Sequence, residues 1–280
     1  MIENSLLVDR IIRNALEEDL GNGDLTTGAI VAPGGRAEAY LLARESLILA
    51  GLSVFNRVFE LLSPAIEYEN HFEDGQSVEE GQKVSTLSGP TDAILMGERT
   101  ALNFLQRMSG IATLTRAFVE KVSLTRARVV DTRKTAPGLR VLDKYAVCAG
   151  GGFNHRHGLY DGILIKDNHI AVAGSVSKAV SMARKSAPHT IKIEVEVEDL
   201  AGVEEALRAG ADAILLDNMT PDMMKRAVKL VSGKAITEAS GNVSLDNIEQ
   251  IAKTGVDIIS VGALTHSPRA VDLSLEFAPA

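Results

Sequence analysis

From residue 128 onward the chain repeats one unit: a short run of β-branched and aliphatic residues ending in a polar residue, then a stretch with apolar residues three and four apart. No other feature constrains the fold as much, because strands alternating with helices bury both faces of a parallel sheet. The strand runs are 128–131, 162–165, 191–197, 213–216, 235–237 and 256–261, and the spacing predicts helices over 175–187, 199–209, 221–231 and 245–253. Thr220 and Ser244 stand where N-caps belong, Pro221 suits a first helical turn, and Gly210, Gly233 and Gly255 follow helices as stops. The last four strands begin at 191, 213, 235 and 256, the spacing of compact βα units. A parallel α/β barrel fits this rhythm, and periodicity alone leaves a doubly wound sheet open.

The first hundred residues differ in texture. Strands are predicted at 37–43, 46–49, 65–69 and 83–87 around a helix over 52–62, with one long helix or a broken pair over 98–120. The amino-terminal segment carries Glu3, Asp9, Glu17, Glu18 and Asp19 among apolar residues at helical spacing, the wrong pattern for a signal peptide. No run reaches the roughly 18 uncharged apolar residues of a membrane span. The single cysteine, Cys148, sits in an apolar AVCA stretch that reads as core and has no partner for an intrachain disulfide, so a reducing cytoplasm is expected.

Charge narrows the function. The chain carries a net −8, which argues against nucleic-acid or anionic-membrane binding, yet residues 126–169 hold eight Lys/Arg against four Asp. A positive pocket in a negative molecule suits a small polyanion. Arg126, Arg128, Arg140 and Lys144 read as surface residues; Arg133, Lys134, Arg156 and Lys166 sit at strand ends or beside glycines and read as ligand-binding.

In a parallel barrel, functional side chains come from the carboxyl ends of the strands. Those ends supply DTRKT at 131–135, KDNH at 166–169, Glu194 and Glu196, Asp217 and Asn218, Glu238 with Ser240 and Gly241, and Gly262. Glu194 and Glu196, two apart, face one side of their strand. Glu196 with Asp217 forms a hard-oxygen pair suited to Mg²⁺, unless Glu196 is taken by Lys166 or Lys192. His155, His157 and His169 lack the spacing of a helical zinc site.

Blocks spread over nearly the whole chain resemble one family: ALEEDLGNGDLTT at 15–27, ERTALNFLQRMSGIAT at 98–113, DTRKTAPGLR at 131–140, GGGFNHRHGL at 150–159, KDNH at 166–169, EVEV at 194–197, LLDN at 215–218, EASG at 238–241 and SVGALTHS at 260–267. The family is the quinolinate phosphoribosyltransferases. The resemblance implies an α/β fold: an open (β/α) barrel over 111–265, with an N-terminal α/β sandwich over 1–110 against which 266–280 packs. It also implies a homodimer that lends an arginine across the interface. Carried over by position, Arg133, His155, Arg156 and Lys166 look like the quinolinate pocket, with Arg99 as the lent arginine. Lys134, Glu196, Asp217, Ser240, Gly241, Asn242, Val261, Gly262 and Ala263 match the part that holds phosphoribosyl pyrophosphate, with Mg²⁺ on Glu196 and Asp217 and no organic cofactor. Lys134, Lys166, Glu196 and Asp217 are the expected catalytic set. The chain departs from the pattern at Met96-Gly97 and at Asn242, where many members have a second glycine. Two other readings differ in class: a Schiff-base aldolase using Lys166, and a phosphate-ligand sensor without turnover.

Overall fold

The computed structural model describes residues 5–278. In chain order its elements begin α1 (Ser5–Leu20), α2 (Leu25–Ile30), β1 (Arg36–Ala43), β2 (Leu47–Ile48), α3 (Leu52–Leu62), β3 (Glu67–Asn70), β4 (Ser77–Val78), β5 (Lys83–Pro90) and α4 (Thr91–Val122). They continue through β6 (Arg128–Val130), α5 (Arg140–Ala149), β7 (Ile163–Ile165), α6 (Asp167–Ala173), α7 (Val176–Ser186), β8 (Ile193–Val197) and α8 (Leu200–Arg208). The last are β9 (Ala213–Asp217), α9 (Pro221–Val231), β10 (Ile236–Ser240), α10 (Ile248–Ala252), β11 (Ile258–Ser260), α11 (Ala263–His266) and β12 (Leu273–Phe277). Among the described residues no helix is long and apolar enough to cross a membrane. Two compact units emerge: residues up to Arg116 with Thr135–Gly151 and those from Ser267 on, and Ala117–Lys134 with Gly152–His266. Residues 135–151, which the sequence division puts with the barrel, group with the first unit.

The first unit holds an antiparallel sheet of order β12-β1-β5-β3. Alternation in β1 sends Ala39, Leu41 and Ala43 inward, and Leu87 pairs with Ala39 on β5. Phe55 and Phe59 of α3, both fully buried, meet edge to face at 5.2 Å. β12 reaches β1 along α4, where Val271 N–H donates to Gln106 O and Gln106 Nε2 donates to Leu273 O. Gly110 makes room for this passage: a Cβ there would lie 2.0 Å from the carbonyl oxygen of Arg269.

The second unit is the repeat read in the sequence. All six strands run parallel in the order β6-β11-β10-β9-β8-β7, a barrel-like sheet whose outermost strands are β6 and β7. Ser175, Asp199 and Thr220 cap α7, α8 and α9 by accepting a main-chain N–H, and Gly210, Gly233 and Gly255 have the positive φ of a helix stop. α10 begins later than expected. Asn247 Oδ1 reaches back to the Ser244 N–H and holds 244–247 as a turn, so Asn247 occupies the cap position instead of Ser244.

Helix α5 corrects two expectations. Its inner face carries Leu142, Asp143, Lys144, Ala146 and Val147, so Lys144 is fully buried instead of surface-exposed. Cys148 falls on the outer face and is exposed instead of core. Asp143, also fully buried, accepts the Arg107 fork at 2.9 Å on each oxygen and the Ala136 N–H at 3.1 Å. Removing that buried acceptor takes away both bonds to the Arg107 guanidinium and the one to the Ala136 N–H. D143A should therefore lose about 3 kcal/mol of unfolding free energy in urea titration, against a fraction of that for the exposed D222A.

Candidate active site

The carboxyl ends of the six parallel strands surround a cavity of about 830 Å³. Of the residues the sequence singled out, Arg133, Lys134, His155, Arg156, Lys166, Glu196, Asp217, Ser240, Gly241, Asn242, Gly262 and Ala263 all line it. Two do not. Val261 points its side chain into the core and gives its N–H to Val130 O, and Arg99 is an exposed residue of α4. Thr132, Leu164, Leu215, Asn218, Glu238, Val243, Ser260 and His266 complete the lining.

One wall is made of loops shaped for close approach. Gly241 has φ +96°, and a Cβ there would fall 2.2 Å from Asn218 Oδ1, so only glycine fits. Asn218 and Asn242 both adopt left-handed φ, which asparagine tolerates better than other side chains, and Asn242 Nδ2 donates to Asn218 Oδ1 at 3.1 Å. The departure from glycine at 242 therefore keeps the backbone conformation and ties two strand-end loops together.

Carboxylates form a second group. Glu196 on β8 and Asp217 at the end of the adjacent β9 both face the cavity, and Asp217 Oδ2 accepts from Asn218 Nδ2 at 2.8 Å. Lys166 Nζ lies 2.5 Å from Glu196 Oε2, the lysine pairing that the sequence left open. Lys166 is half-exposed and paired with a carboxylate, unlike the apolar setting that a Schiff-base lysine requires. Two carboxylates at a roomy, phosphate-compatible mouth fit a hard divalent cation whose other ligands are water and phosphate oxygens.

Cations form the third. Burial lowers the Arg156 pKa, and the Arg133 guanidinium beside it lowers it further. Arg156 is held by Nη1 donating to Gly162 O at 2.9 Å. Glu194 and Asp161 oppose the lowering of its pKa, and two arginines lining one cavity suit a ligand with two negative charges, since planar forks bind carboxylates bidentately.

Beneath these groups lies a buried cluster. His155 Nε2 is 3.1 Å from Glu194 Oε2 and 3.7 Å from Glu238 Oε1, and the donor atoms of the three residues all lie within 4.8 Å of one another. Burial pushes the Glu238 carboxyl up to about 8, the Glu194 carboxylate adds to the rise, and His155 opposes it. Glu238 appears in the sequence as a strand-end acid, but only its place two residues inside the end of β10 reveals it as a floor residue.

Residues 24–109 match the N-terminal domain of quinolinate phosphoribosyl transferase, and residues 111–276 match its C-terminal domain. The chain belongs to this family. A Bacillus subtilis member, described as "probable nicotinate-nucleotide pyrophosphorylase (carboxylating)", is 44% identical over 273 residues, covering 98% of this chain and 94% of that protein. Quinolinate phosphoribosyltransferase (decarboxylating) 1b of Nicotiana tabacum is 42% identical over 285 residues, covering 95% and 81%. The crystal structure of NadC from Streptococcus pyogenes superposes with a TM-score of 0.93 at 44% identity, covering 97% of each chain. The α/β architecture of this chain, with a barrel-like parallel sheet and a separate antiparallel sheet, is thus the family's own.

Glu238 gives the cavity floor a pH signature. Between the ordinary 4.5 and about 8, the unfolded chain has released this proton while the folded protein keeps it. Folding then takes up a proton, and stability falls as pH rises through that window. Glutamine cannot titrate. E238Q should therefore gain on the parent in thermal unfolding by up to about 1 kcal/mol per pH unit as pH rises from about 5 to about 8, with no gain below about 4.5.

Proposed function

We propose that this enzyme transfers the phosphoribosyl group of phosphoribosyl pyrophosphate to quinolinate with loss of CO2. The products are nicotinate mononucleotide and pyrophosphate, a step of NAD biosynthesis, carried out in the cytoplasm. The observation that carries the reading is that Arg133 and Arg156 line one cavity with the carboxylates Glu196 and Asp217 and the glycine-asparagine loops at 218 and 241–242. A planar dianion and a sugar polyphosphate are the two ligands such walls suit. Family membership and the names of the relatives point the same way.

Arg133 and Arg156 hold the two carboxylates of quinolinate and aim its ring nitrogen at C1 of the ribose. The nitrogen lone pair forms the new C–N bond as the C1–O bond to pyrophosphate breaks. Lys134, which lines the cavity, neutralises charge that gathers on the departing pyrophosphate, and Ser240, Gly241, Asn242, Gly262 and Ala263 offer main-chain and side-chain donors to phosphate oxygens. Glu196 and Asp217 present negative charge to the cationic sugar that develops in such a transfer. The same two carboxylates would hold Mg²⁺, which would supply charge neutralisation for the leaving group. Once the nitrogen carries a positive charge, the adjacent C–CO2 bond can break with its electrons left on the ring carbon, which then takes a proton. N⁺ beside that carbon stabilises the anion, so no organic cofactor is called for. Lys166, released from Glu196, is placed to position the carboxylate that departs.

A homodimer completes the site, with Arg99 reaching the partner's cavity. Its exposure on α4 and its absence from the cavity lining of its own chain support this role. A preparation of R99A mixed with K134A should regain part of the parent turnover after subunit exchange; no regain after confirmed exchange places Arg99 outside the partner's site. R133A should weaken quinolinate binding about 100-fold or more in calorimetry and leave phosphoribosyl pyrophosphate within about threefold. The reading as a whole is tested by supplying Mg²⁺, phosphoribosyl pyrophosphate and quinolinate and following CO2 and nicotinate mononucleotide. Equal yields of the two support it, and ligand binding with no product returns the sensor reading.

A further inference from the structure

The loop that carries Arg156 is tied down residue by residue. Phe153 N–H donates to Val129 O at 2.9 Å, Asp131 N–H donates to Phe153 O at 3.1 Å, and His155 N–H donates to the fully buried Asp131 carboxylate at 2.9 Å. One more contact decides the state of the imidazole. The main-chain N–H of Arg156 donates to His155 Nδ1 at 2.7 Å. A backbone amide can only donate, so Nδ1 presents its lone pair and the ring proton sits on Nε2, facing Glu194 Oε2 at 3.1 Å. Protonating Nδ1 would set two donors against each other at hydrogen-bond distance. Both ring nitrogens therefore serve the protein's own framework.

We propose that His155 acts as a neutral, Nε2-protonated strut between the Glu194–Glu238 carboxyl pair and the Arg156 main chain, making Glu194 and Glu238 positioning residues for the Arg156 guanidinium. The dicarboxylate role given to Arg156 rests on the function proposed above; the strut itself rests on the hydrogen bonds. The chain's own positive charge in the pocket then comes from Arg133, Arg156, Lys134 and Lys166, while His155 contributes direction. Glu238 Oε1 has no hydrogen-bond partner and lies 3.7 Å from Nε2, so the ring proton has a carboxyl group on either side. A transition metal held by these three residues is the competing reading. A histidine that ligates metal through one nitrogen donates the N–H of the other, whereas here the other nitrogen accepts, and a metal on Nε2 would demand an imidazolate.

Side-chain nitrogen NMR of the full chain, with the His155 signals assigned by their loss in H155N, reads the strut directly. The expected spectrum has Nδ1 unprotonated and Nε2 protonated from about pH 6 to about pH 8. An imidazolium, or a proton on Nδ1, overturns the proposal. Calorimetry then reads its purpose: E194L should weaken quinolinate binding about tenfold or more, E194Q, whose amide oxygen still accepts, should stay within about threefold, and both should keep phosphoribosyl pyrophosphate within about threefold. Equal losses in E194L and E194Q, or a matching loss for both ligands, overturn it. Should E194L fail to fold, H155Q replaces it, because its amide reaches Glu194 but leaves the Arg156 N–H without an acceptor; the same selective loss of quinolinate is expected. Stoichiometric zinc binding by the parent that disappears in E238Q favours the metal and overturns the strut. A parent that binds no quinolinate at all strikes the proposed function and leaves the nitrogen spectrum to judge the strut alone.

Discussion

A carboxyl group taken out of water must be neutral, paired or hydrogen-bonded, and three buried acids, Asp131, Glu194 and Glu238, stand around His155. Each is satisfied differently. Asp131 takes a main-chain amide, Glu194 takes the histidine's ring proton, and Glu238 stays protonated under the pressure of burial and its neighbour. Because the first two solutions run through His155, the demands of buried acids become instructions for where one loop must lie. The arginine at the end of that loop inherits a direction it could not hold by itself.

Electrostatic tension is distributed rather than cancelled within the cavity. Arg133 and Arg156 repel across one part of the wall, and Glu196 is occupied by Lys166 in another. A ligand with two carboxylates relieves the first, and a cation or a phosphate-bound metal competes for the second. Preorganisation of this kind costs folding free energy and returns it as selective affinity, because groups already in place need not be rearranged when the ligand arrives.

The barrel-like sheet was legible because its strands and helices are short, regular and bounded by glycine, proline and capping residues, so local pattern and global fold agree. The cavity was legible for the same reason: polar residues at strand ends must converge when the strands are parallel. α5 was not foreseen, and with it went Lys144 and Cys148, because ten residues between Gly138 and the glycine run at 150–152 offer no second repeat to reveal which face turns inward. Val261 lies between two residues that do line the cavity, and strand alternation sends it the other way. Asn247 beat Ser244 to the cap because both are good caps, and only the side chain's backward reach distinguishes them. β12 escaped notice although LSLEF alternates apolar and polar residues, because the run is only five residues long and its partner lies near the other end of the sequence.

That last pairing affects how the protein can be made. β1 sits between β5 and β12, so until residues 273–277 emerge from the ribosome its outer edge presents unpaired main-chain donors and acceptors. A nascent chain complete through the barrel still exposes an open strand edge able to recruit another chain. A chain lacking residues 273–277 would leave β1 unpaired along the edge that β12 covers, where another chain could add a strand.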